Sequence, residues 1–237
     1  GLVGLAVSAP AAAQISFSVT LPRTGTLEPV TGRLIVVTAK RAADGATSKA
    51  EPREAIGMNG PPAFGMDVEN LRPGETVTLD ATSDGFPFGL DQLPAGDYRV
   101  QAVLIPYKKA TRADGHTIWV PTSDQRVIAP MFPGNPYSKP ADVRLDPAKK
   151  APVSLALTEK IGPIAREPDT PWIKRVRIRS QILSDFWGMP MDIGAEVLLP
   201  RDFDKHPDAR YPAIYTFGHF GGSFNFDTDP ASDSEGA

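Results

Sequence analysis

The feature that most limits what this chain can fold into is the spacing of its apolar residues, which nowhere keeps a 3.6-residue period over the length of an ordinary helix. Short runs with a two-residue period recur instead. Ile15-Ser16-Phe17-Ser18-Val19 alternates apolar and polar, Glu75 to Leu79 does so again, and Tyr98 to Leu104 follows the turn Leu93-Pro94-Ala95-Gly96-Asp97. Arg33 to Thr38 is a denser apolar run between Gly32 and the charged turn Lys40 to Gly45. Further short runs span Thr117 to Val120, Gln125 to Ala129, Asp142 to Leu145 and Val153 to Leu157. With 25 prolines and 21 glycines punctuating the chain, regularly spaced short strands predict a mainly β fold: an Ig-like antiparallel β-sandwich over residues 15–160. Two turn-rich loops, Gly57 to Gly65 and Pro130 to Pro140, hold Phe64, Phe132 and Tyr137. Such aromatics either plug the ends of a sandwich or, if exposed, form a stacking surface for carbohydrate.

Composition narrows the partners. A net charge of −3 gains nothing from meeting nucleic acid or an anionic membrane surface. The absence of cysteine excludes disulfides, zinc–thiolate sites and thiol catalysis. Leu2 to Ala13 is apolar and closes on Ala9-Pro10-Ala11-Ala12-Ala13, as the core and cleavage region of a secretory signal peptide do. It is too short to span a bilayer, which takes about 20 residues. Residues 1–14 are therefore expected to be the remnant of an export signal, placing the protein outside the cell or in the periplasm.

Residues 161–172 carry Gly162, Pro163, Pro168 and Pro171 without periodicity and predict a linker. Residues 173–237 then change character. Ile173 to Leu183 alternates, with Val176 and Ile178 on one face and Arg175, Arg177 and Arg179 on the other, so a solvated strand face accounts for the basic run. Ser184 to Met191 predicts a hairpin-like turn rich in aromatics, Ile193 to Leu199 a second strand, and Tyr211 to Phe217 a third, buried one. An antiparallel pair leading into a buried strand and a Gly-rich turn is how an α/β sheet opens. Three such strands without crossover helices are expected to leave an apolar face uncovered.

Ser184-Asp185-Phe186-Trp187-Gly188, Ala195 to Pro200, Phe203-Asp204, Arg210 to Tyr215 and Gly218-His219-Phe220-Gly221-Gly222 together resemble the opening of the esterase-D and enterochelin-esterase-like branch of the α/β-hydrolases. The likeness covers the last fifth to quarter of the chain, with order and spacing agreeing throughout. It implies that residues 173–237 begin a truncated α/β-hydrolase domain, and that the complete protein is a serine carboxylic-ester hydrolase without a cofactor. Its substrate would be a small-molecule ester of a modest-sized organic acid or sugar. In such enzymes one oxyanion donor follows the third strand. Here that donor is the N–H of Phe220 or of Gly221, with His219, Gly218 and Gly222 shaping the loop. The nucleophile of that family sits in a Gly-x-Ser-x-Gly turn, and no serine of this chain has that setting: Ser223 follows Gly221 but has Asn225 two residues on. The triad is therefore expected beyond Ala237, and the chain as it stands is expected to be inactive.

Two other readings compete. His206 and His219 with Asp202, Asp204 and Asp208 lack any metal-ligand spacing, and Asp227, Asp229, Asp233 and Glu235 lack the Gly-centred calcium-loop pattern. No metal is expected. Alternatively the sandwich is itself the functional part, a non-catalytic module of the cell envelope that recognises carbohydrate or protein. A Gly-x-Ser-x-Gly turn further along the gene separates the two.

Overall fold

A computed structural model of the chain describes residues 15–23, 28–41, 51–121, 129–149, 151–166 and 168–216. The fold is mainly β and divides into two compact units. Among the described residues, one unit draws on 15–109 and 119–164, the other on 110–118 and 165–216.

In the first unit the chain runs through β1 (Phe17–Thr20), β2 (Val30–Lys40), β3 (Ala63–Leu71), β4 (Thr76–Leu79), β5 (Asp84–Phe86), β6 (Gly96–Thr111), β7 (Thr117–Pro121), β8 (Pro136–Tyr137), β9 (Ala141–Leu145), β10 (Val153–Ala156) and β11 (Glu159–Lys160). The last residues of β6 and the first of β7 belong to the second unit. A small sheet is ordered β10-β1-β4, and a larger one β11-β8-β6-β2-β3-β5, with β7 and β9 also paired to β6. Strand β1 pairs with β4 antiparallel but with β10 in parallel, Phe17 standing opposite Val153. Strand β2 is antiparallel to both β3 and β6.

The two-residue period explains the core. Phe17 and Val19 of β1, Leu79 of β4 and Leu155 of β10 meet Leu34, Val36, Phe64, Val68, Val100, Ala102 and Leu104 of the larger sheet in one buried cluster. Each of the valine, leucine and phenylalanine side chains among them contributes about 1.5–3 kcal/mol when fully buried. Tyr98 closes the entry to β6 by donating its hydroxyl to the Pro94 carbonyl, 2.9 Å away.

The expected strands are present with informative differences. The segment Gly57 to Gly65 is a loop only in part, because β3 starts at Ala63. Its inward residues Phe64, Met66 and Val68 alternate with Gly65, Asp67 and Glu69, and the preceding Gly-Pro-Pro conceals that period. Strand β6 is buried on both faces from Val100 to Ile105, because the 3-10 turn Pro52–Ala55 and the segment at Ser138 lie against Gln101 on its outer side. Of the expected strand Gln125 to Ala129, residues 125–128 lie outside the described residues, and Ala129 opens a 3-10 turn.

The second unit pairs β12 (Ile173–Arg179) with β13 (Asp192–Leu198), antiparallel, around a helix α1 (Gln181–Trp187). Strand β12 stops at Arg179, and the helix therefore takes in the end of the alternating run expected to reach Leu183 and the first half of the turn expected at Ser184 to Met191. Ser180 caps it, its hydroxyl accepting from the Leu183 N–H, and Gly188 ends it in the left-handed region at φ 62°. The Ser184 hydroxyl donates to the Ser180 carbonyl at 2.7 Å and accepts from the Met191 N–H at 2.9 Å, tying the start of the helix to the residue that precedes β13.

The expected third strand does not form: Tyr211 to Thr216 carry no ladder, and Ile214 is 92% exposed. Phe217 lies outside the described residues. A strand needs a neighbour's donors and acceptors, and Pro212 cannot donate to one.

Candidate functional site

The oxyanion-loop residues expected from the sequence, Gly218, His219, Phe220, Gly221 and Gly222, lie outside the described residues, as do Ser223 and the acidic residues from Asp227 to Glu235. What is described is the segment leading to them. On one face of the β12–β13 hairpin Arg175 stands opposite Glu196 and Arg179 opposite Asp192. Arg175 Nε donates to Glu196 at 3.1 Å, Arg177 Nε to Asp192 at 2.8 Å, and Arg179 also bonds Asp192. The basic face is thus an ion-paired ladder rather than a free polyanion site. Hydrogen bonds from Arg179 and Arg177 hold the Asp192 carboxyl below its ordinary range. On the opposite face Val176 pairs with Ala195 and Ile178 with Ile193, and Val176, Ile178, Ile193 and Val197 are all exposed.

The turn 110–118 meets α1 within the same unit. The Ala113 N–H donates to the Phe186 carbonyl at 2.7 Å, and the Arg112 guanidinium lies over the Phe186 ring. Arg112 and His116 both pair with Asp114, whose pKa falls through the His116 N–H bond first and these partners after it. The His116 side chain is largely exposed. His206 ends the 3-10 turn Phe203–Lys205, away from any convergent set of ligands. Among the described residues no three His, Cys, Asp or Glu side chains are placed to hold a metal ion.

Two constellations in the first unit were not legible in the sequence. The first is a buried polar network on the outer face of β6. Gln101, wholly buried, accepts from the Arg53 N–H at 3.1 Å and donates to Glu51 at 3.0 Å and to the Ser138 carbonyl at 2.9 Å. Arg53 binds Glu51 at 2.7 Å and Glu54 at 3.2 Å, and its guanidinium lies 4.3 Å over the Tyr137 ring. Every member is satisfied, so the network fastens the covering turns to the sheet. Phe64 and Phe132 are buried as well, so neither offers the stacking surface considered above, and Tyr137 is occupied by Arg53.

The second constellation lies further along the same outer face. Arg33 stands opposite Asp67 on β3, while Asp84 on β5 stands opposite Gly65. Arg33 Nη1 donates to Asp67 at 3.1 Å and Nη2 to Asp84. The guanidinium reaches Asp84 by crossing Gly65, where a Cβ would stand 3.0 Å from Arg33 Nε. Partial burial works against the Arg33 charge, but its bonds to Asp84 and Asp67 outweigh it and raise the pKa. Tyr107, on the same face of β6, has its hydroxyl pKa raised by burial and then by the Asp67 charge. A sequence cannot show which strands are neighbours, so nothing marked Arg33 as the partner of residues 34 and 51 positions away.

Comparison with family models, with curated proteins and with solved structures finds no match to this chain.

Proposed function

We propose that this chain is the front portion of an exported serine hydrolase acting on carboxylic esters, with residues 173–237 as the opening of the catalytic domain and the first unit as an accessory β-domain. The observation that carries this reading is the ordered series from Ser184-Asp185-Phe186-Trp187-Gly188 to Gly218-His219-Phe220-Gly221-Gly222. An antiparallel hairpin with one apolar face open to solvent, as β12 and β13 form, supports it, since such a face is completed by further elements of a layered domain. On this reading the N–H of Phe220 or Gly221 stabilises the oxyanion of a tetrahedral intermediate, a step worth about 10²–10³ in rate for one donor. The nucleophile, acid and base come from residues C-terminal to this segment. Export through the apolar residues Leu2 to Ala13 belongs to the same proposal.

The test is to translate the encoding DNA in frame past Ala237 and to express the longer product. A Gly-x-Ser-x-Gly turn followed by an acid and a histidine is expected. The longer protein should hydrolyse p-nitrophenyl acetate and react with a fluorophosphonate probe, while the 237-residue chain does neither. A continuation without that order of residues, or a longer product inert to both reagents, overturns the assignment.

A further inference from the structure

The outer face of the larger sheet carries chemistry that the hydrolase reading does not use, and it belongs to the first unit alone. Strand alternation fixes which residues share it. Phe64, Val68, Val100, Ala102 and Leu104 point into the core, so Gly65, Asp67, Gln101, Ile105, Tyr107 and Lys109 point out. Arg33 joins them by its bond to Asp67, and Asp84 and Phe86 by their pairing with Gly65 and Ala63. The Thr111 and Thr117 hydroxyls meet at 3.2 Å across the β6–β7 turn. Two residues further along each strand, Trp119 therefore shares the face of Lys109 and Tyr107. Trp119 is 51% exposed and Phe86 53%, unusual for large aromatics on a sheet whose other side is a closed core.

We propose that this face, centred on Arg33, Asp67 and Asp84 and flanked by Tyr107 and Trp119, binds a neutral oligosaccharide. A sugar ring presents C–H faces and a rim of hydroxyls. It therefore needs an aromatic plane to rest on and fixed, in-plane donors and acceptors beside it. Both are here. Asp67 gives Oδ1 and Asp84 gives Oδ2 to Arg33. Among the described residues the second oxygen of each carboxylate accepts no hydrogen bond, so each is open to a hydroxyl donor. Gly65 keeps the guanidinium low against the sheet, and the pair of carboxylates locks it there.

Charge selects the class of ligand. Arg33 is already matched by two carboxylates, so an anion meets Asp67 and Asp84 and a cation meets Arg33. The chain's net charge of −3 further disfavours a polyanion. A neutral polyol alone uses the existing ion pairs without displacing them. These residues differ from the loop aromatics considered from the sequence, two of which the fold buries.

The experiment is native affinity electrophoresis of the whole chain through gels containing barley β-glucan, arabinoxylan or glycogen, with polygalacturonate as the acidic control. Retardation by at least one neutral polymer, unchanged in 0.5 M salt, is expected. The Trp119→Ala and Tyr107→Ala variants should each bind at least about tenfold more weakly, and Asp67→Asn with Asp84→Asn should do the same. Circular dichroism and the melting temperature report whether each variant remains folded, and Trp119→Phe, which keeps an aromatic plane, should retain most binding. Retardation by polygalacturonate only, by none of the polymers, or equally in wild type and the folded aromatic variants overturns the proposal. So does a dimer in sedimentation that Trp119→Ala dissolves, since the face would then belong to a second copy.

Discussion

Replacing Gln101 by leucine removes a side chain of similar size from the centre of the larger sheet and takes three hydrogen bonds with it. The Arg53 N–H and the Ser138 carbonyl lose their partner at a position with no access to water, while Glu51 keeps its bond to Arg53 and is part-exposed. Each buried group left unpaired costs about 1–3 kcal/mol, and the leucine returns about 1 kcal/mol through apolar burial. The Gln101→Leu protein should therefore be less stable by about 1–5 kcal/mol. Urea unfolding at 25 °C, followed by far-ultraviolet circular dichroism, measures this. With a slope of about 2 kcal/mol per molar urea, the midpoint of the first unit's transition should fall by about 0.5–2.5 M at unchanged slope. Gln101→Glu should be worse, because it places a second carboxylate beside Glu51 and removes the donor to Ser138. A Gln101→Leu midpoint equal to or above that of the wild type would refute the view that this network fastens the covering turns.

Two further outcomes follow from the second unit. Gly188→Ala places a Cβ 2.4 Å from the Thr111 carbonyl oxygen at a left-handed backbone position, so α1 and the 110–118 turn cannot both keep their places. The amide of Ala113, which bonds Phe186, should then lose most of its protection in hydrogen exchange, and protection equal to wild type would contradict the contact. Asp192 has its pKa lowered from its ordinary 3.8 by Arg179 and Arg177. Its contribution is fully present above that ordinary value and is lost as pH falls through the depressed one. Thermal stability of the second unit should thus fall as pH drops below about 4, and less steeply in Asp192→Asn; identical acid slopes for the two proteins would remove Asp192 from the ladder.

Much of the sandwich was legible because a two-residue period survives in the sequence wherever one strand face is buried, as at Phe17 and Val19. It failed at Gln101, where turns from distant parts of the chain cover the second face and make a polar residue interior. The helix α1 was written in its caps, Ser180 and Gly188, yet its seven residues are too few to show a helical period. Tyr211 to Phe217 read as a buried strand on hydropathy alone, and hydropathy does not supply the neighbouring ladder. The Arg33 cluster was illegible for a different reason: its members come from three strands, and only the register brings them together.

The parallel pairing of β1 with β10 has a consequence for how the protein is made. Phe17 closes against Val153, so β1, paired on its other side with β4, must wait for a strand near the end of the first unit before its sheet is complete. Contacts of that separation slow folding, and until they form Phe17 and Val19 are open to other chains. Delayed closure makes the stretch between the two strands the period in which a holdase chaperone has the most to protect.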